Sequence, residues 1–86
     1  MKTRIIARYL EEEVFDEIGD IDIDNCKYAC VVVRSVEAGR QLIGNLEING
    51  IGNISEQYED EFGWHEIKEY YVSEGIIFDS KTYDKS

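Results

Sequence analysis

Asp20, Asp22 and Asp24 stand at alternate positions, the carboxylate spacing that opens an EF-hand calcium loop. The rest of that loop is missing. The position that needs glycine for the sharp turn holds Asn25, and the position of the bidentate glutamate holds Val31. A charged edge that discourages strand-to-strand aggregation is the better account of the three aspartates. Cys26, Cys30 and His65 are the only soft metal ligands, one short of the four that a closed zinc site uses. On an extended strand the two sulfurs would share a face about 13 Å apart, too far for a disulfide, so both read as small core residues. His65 lies beside Trp64 and Glu66, and no pattern in the chain positions a nucleophile against it. No GxSxG, P-loop or GxGxxG pattern occurs, and Gly50-Ile51-Gly52 reads as a turn. These residues predict a protein that is not an enzyme and carries no metal or cofactor.

Charge is the stronger signal. The 86 residues carry 19 acidic and 9 basic side chains, a net charge of −10. The run from Glu11 to Asp24 is dominated by Glu11, Glu12, Glu13, Asp16, Glu17, Asp20, Asp22 and Asp24, with no basic residue among them. A second acidic group, Glu56, Glu59, Asp60, Glu61, Glu66 and Glu69, interleaves with Tyr58, Phe62, Trp64, Tyr70 and Tyr71. Carboxylates beside aromatics suit a partner rich in arginine, which pairs with the acids and stacks on the rings. In a domain this small the aromatics also serve as core. The basic residues are scattered, where phosphate binding wants a concentrated stripe, so direct nucleic-acid binding is disfavoured. Arg4, Arg8, Lys27 and Arg34 could still converge on neighbouring strands into a small basic face.

These groups must be held by a single small core. Thr3–Tyr9 reads as an opening strand. Leu10–Ile18 reads as a short helix with Leu10, Val14, Phe15 and Ile18 on one side, acids on the other and Gly19 as its stop. One helix running from the start through Ile18 competes with that division. Asp16 and Glu17 near the helix C-terminus oppose its macrodipole. Asp20–Asn25 alternates as an extended segment backed by Ile21 and Ile23. Cys26–Arg34 is the strongest strand, and its apolar run Ala29–Val33 predicts a central place in the sheet. Ser35 is an N-cap for a helix that runs through Leu42, Ile43 and Leu46, with Gly39 and Gly44 marking close packing on the sheet. Asn49–Asn53 is a turn. Ile54–Gly63 is ambiguous. Trp64–Ser73 and Ile76–Asp79 form a hairpin across Glu74-Gly75, with a helix over 62–72 as the competing reading.

The predicted fold is α+β: one compact domain over 1–79, a mostly antiparallel sheet with one or two helices on one face and a C-terminal hairpin, then a frayed polar tail at 80–86. No segment reaches the length of a membrane span, and the opening residues do not read as a signal peptide. Two unpaired cysteines suit a reducing cytoplasm. In size, charge and lack of a catalytic motif the chain resembles small phage-encoded inhibitors, a class that includes nucleic-acid mimics and anti-CRISPR or anti-restriction proteins. That resemblance implies a non-catalytic inhibitor docking on the basic surface of a nucleic-acid-handling protein. Its candidate contacts are Glu12, Glu13, Asp16, Glu17, Asp20, Asp22 and Asp24, with Glu59, Asp60 and Glu61 as a second set. The alternative is a small structural or regulatory module that forms a homodimer through its Tyr/Trp-rich hairpin.

Overall fold

The computed structural model describes residues 2–12, 14–20, 22, 25–46 and 50–83. Five strands and one helix follow in the order β1 (Lys2–Glu12), β2 (Lys27–Val33), α1 (Val36–Leu46), β3 (Gly52–Asp60), β4 (Gly63–Ser73) and β5 (Ile76–Thr82). The strands form one sheet, ordered β2-β1-β3-β4-β5, with every neighbouring pair antiparallel. β2 and β3 therefore run parallel on either side of β1, and α1 carries the chain across β1 between them. β3, β4 and β5 then follow as a meander.

Alternation along β1 sends Ile5, Ala7 and Tyr9 toward α1. There Ala7, Ile43, Ile54 and Val72 form the buried core, ringed by Ile5, Tyr9, Val33, Val36, Leu42, Tyr70 and Ile77. Small residues let the helix sit close. A Cβ at Gly39 would lie 3.3 Å from side-chain atoms of Ile54 and Val33, which is the packing its position in the helix implied. Ser35 caps α1 by accepting the Ala38 N–H at 3.0 Å. Arg40 pairs with Glu37 on the helix and donates to the Gly75 carbonyl at 2.7 Å, tying α1 to the β4–β5 turn. That turn places Glu74 at φ 55° and Gly75 at φ 72°, the left-handed pair that matches the twist of a two-residue hairpin.

The α+β sheet with its helix and C-terminal hairpin is as the sequence implied, but three elements differ. Leu10–Ile18 is not a helix. β1 continues to Glu12, and the following residues turn. Asp16 Oδ1 accepts the N–H groups of Ile18 and Asp20 at 3.0 and 2.9 Å, so the side chain satisfies donors that a helix would have satisfied itself. Phe15 and Ile18, placed by the periodicity on a buried stripe, are 56% and 83% exposed. Second, β2 borders the sheet instead of occupying its centre. β3, β4 and β5 all stack beyond β1, which among the described residues leaves no strand to cover the outer side of β2, and Val32 is 67% exposed. Third, Ser80–Thr82 belong to β5, and the Tyr83 N–H donates to the Ile67 carbonyl at 2.8 Å. The ambiguous stretch Ile54–Gly63 is mostly β3, ending in a turn where Asp60 Oδ1 accepts the Phe62 N–H at 2.8 Å. The predicted alternation of Ile21, Ile23 and Asp24 lies outside the described residues. No helix is long and apolar enough to cross a membrane among the described residues.

Candidate functional site

The acidic candidates fall into two groups at opposite ends of the sheet. Glu12 ends β1, where its carboxylate lies 3.5 Å from Lys27 Nζ, both side chains exposed. Beyond it, Asp16 organises a turn in which its own N–H donates to the Asp20 carbonyl at 2.8 Å. Glu17 and Asp20 are exposed on that turn. Asp22 is half-buried, and its N–H donates to the Val14 carbonyl at 2.7 Å. Its carboxylate takes the Asn25 side-chain amide at 2.6 Å. Glu13 and Asp24 lie outside the described residues. At the other end Glu59 stands opposite Lys2, with Asp60 and Glu61 in the β3–β4 turn. The Phe62 N–H, followed by the His65 ring at 2.8 Å, holds the Asp60 carboxyl below its ordinary range. Strand β1 separates the two groups by its length, about 33 Å for eleven residues. They are two separate groups rather than one patch.

Between these ends lies the sheet face that α1 leaves open, with a polar network that charge counting does not reveal. Arg4 Nε donates to Gln57 Oε1 at 2.8 Å, and its guanidinium lies 3.9 Å over the Trp64 ring. Gln57 Nε2 donates to Ser55 Oγ at 3.0 Å, and that hydroxyl donates to Glu66 Oε2 at 2.8 Å. Arg8 reaches Glu66 at 3.8 Å and Glu69 at 3.9 Å. Tyr71 donates to Glu69 at 2.6 Å and Tyr83 to the same oxygen at 3.3 Å. Ser55 and Gln57 are buried on the face opposite α1, because the charged groups they bond lie across them.

A backbone irregularity makes this network. Glu56 pairs with Lys68 and Gln57 with Glu66, so Ile67 is an extra residue in β4. Glu66 and Glu69, three apart, would face opposite ways on a regular strand, and the bulge brings both toward Arg8. Period-two reading puts Arg4 and Arg8 on one side of β1, but nothing local announces the bulge.

Arg8 is matched by Glu66 and Glu69, Arg4 by Gln57 and the Trp64 ring, and Lys27 stands by Glu12, so these three members of the suspected basic convergence each have a local counterpart. The Glu69 hydrogen bond, then burial, pushes the Tyr71 phenol up to about 12. On the helix face, burial and then the Glu56 hydrogen bond push Tyr70 up to about 12. Both phenols stay protonated donors at neutral pH. His65 stacks on Tyr58 with ring centroids 5.1 Å apart. Cys26 is buried, with Sγ accepting the Val14 N–H at 3.3 Å, whereas Cys30 is exposed on β2 instead of lying in the core. Both thiols are free. Among the described residues, no three His, Cys, Asp or Glu side chains group as metal ligands. No family model, curated protein or solved structure matches the chain.

Proposed function

We propose that this chain is a non-catalytic, cytoplasmic protein-binding inhibitor that sets its acidic β1–β2 end against the basic nucleic-acid-binding surface of a partner. The observation that carries this reading is the uneven compensation of charge. On the open sheet face each arginine has an acidic or aromatic counterpart. At the β1–β2 end Glu11, Glu12, Asp16, Glu17 and Asp20 are all exposed, with Lys27 beside Glu12. The hydrogen bonds of Asp16 tie together the backbone from Asp16 to Asp20, and those of Asp22 reach Val14 and Asn25, which supports reading the described carboxylates as held on the fold. Such an array steers onto positive surfaces and competes with phosphates for the same arginines.

Glu59, Asp60 and Glu61 join the contact only where the partner's basic surface runs the length of β1, as a nucleic-acid channel does. Affinity purification at low and high salt tests the proposal. Binding is expected to weaken steeply with salt and to be lost in a Glu12→Lys, Asp16→Lys, Glu17→Lys variant. Salt-insensitive capture, or capture unchanged by the reversal, would remove the charge mechanism.

A further inference from the structure

We propose that β2 is a dimerisation edge, on which two copies of this chain pair β2 against β2, antiparallel, about a two-fold axis at Cys30. Among the described residues its outer side carries no neighbouring strand. Tyr28, Val31 and Val32 are 50%, 37% and 67% exposed, and Cys30 is exposed between them. From Tyr28 to Val33 there is no charge and no proline, the usual guards of an edge strand.

The pairing register follows from the strand itself. β2 spans Lys27–Val33, so full overlap of two copies centres on Cys30. Val32 then stands opposite Tyr28 of the second copy, and Val31 opposite Ala29. Tyr28, Cys30 and Val32 share the open face of the sheet, so the first pairing is an aromatic against a β-branched residue, which favours strand association.

Charge selects the orientation. Parallel pairing would lay two acidic β1–β2 turns side by side on chains that already carry −10 each. Antiparallel pairing moves those turns apart and brings each toward Arg34 of the other copy. A two-fold contact also uses both β2 edges and closes, so it does not propagate into a fibre. A seven-residue edge makes a small interface, which implies a concentration-dependent dimer. The proposal is independent of what the acidic turn binds.

Sedimentation velocity of the full chain over a wide concentration series tests it, with a monomer–dimer equilibrium as the expected result. Val32→Lys alters an exposed side chain and appears twice in the dimer, so it is expected to weaken association about tenfold while the circular dichroism spectrum is kept. Phe78→Lys, on the opposite edge, is expected to leave association unchanged. A short bismaleimide is expected to couple two copies through Cys30 and to fail in Cys30→Ser. A monomer at every concentration would overturn the proposal. So would a dimer weakened by Phe78→Lys and not by Val32→Lys, which would assign association to the C-terminal hairpin.

Discussion

β2 and β5 border the same sheet, yet β5 carries along its middle the devices that keep an edge strand from pairing, whereas on β2 the one charge, Lys27, stands at its first residue. Asp79 and Lys81 are exposed along β5, and Phe78 is an extra residue where Tyr71 pairs with Asp79 and Val72 with Ile77. Charge and a bulge together make a poor template for another strand. β2 has neither between Tyr28 and Val33. The bulge nearest to it lies in β1, between Leu10 and Glu12. One chain therefore guards one edge and leaves the other bare, which is the pattern expected when the bare edge has an occupant.

The comparison collapses if the sheet itself fails. Ile54→Ala removes a fully buried side chain between β1, β4 and α1, and is expected to cost about 2–5 kcal/mol in denaturant unfolding. A loss under about 1 kcal/mol would mean that this core does not hold the two edges in one cooperative unit.

Smaller changes separate the edges. Transferring a guard to β2 with Val32→Lys, against Phe78→Lys on β5, is expected to affect association only in the first case. Ser35→Ala acts at the end of β2, where the cap sets the start of α1. It is expected to cost about 1 kcal/mol in stability with the β4–β5 pairing retained in hydrogen exchange.

The mildest probe is alkaline pH. The Tyr70 and Tyr71 phenols are raised in the folded state, from 10.0 to about 12. The stability they contribute is complete below pH 10 and is lost as pH rises through about 12, because the unfolded chain releases those protons first. Both residues lie on β4, so amide exchange is expected to quicken in β4 and β5 before it does in β2. Tyr71→Phe is expected to reduce that dependence, and equal quickening at both edges would contradict it.

The legible parts of the fold rest on local chemistry. The Ser35 cap, the apolar spacing of α1, the Glu74-Gly75 turn and the alternation of β4 and β5 depend on residues near one another in the chain. The helix expected over Leu10–Ile18 was wrong because periodicity cannot weigh it against a competing local bond. Asp16 captures two backbone N–H groups, and Leu10 and Glu12 gain partners on β2 in Tyr28 and Lys27. The same limit governs the candidate acids. Their types and exposure follow from composition, but their division into two groups about 33 Å apart is a matter of strand register.

By itself the sequence determined an acidic α+β domain with a capped helix and a tight C-terminal hairpin, since turn chemistry and periodicity act over a few residues. It also marked Ala29–Val33 as a strand apolar on both faces. Only the tertiary structure decided that this strand lies at an edge, and that the Ile67 bulge gathers Glu66 and Glu69 around Arg8. Strand order and register arise from pairings far apart in the chain, and an apolar strand carries the same residues whether its neighbour is its own chain or another copy.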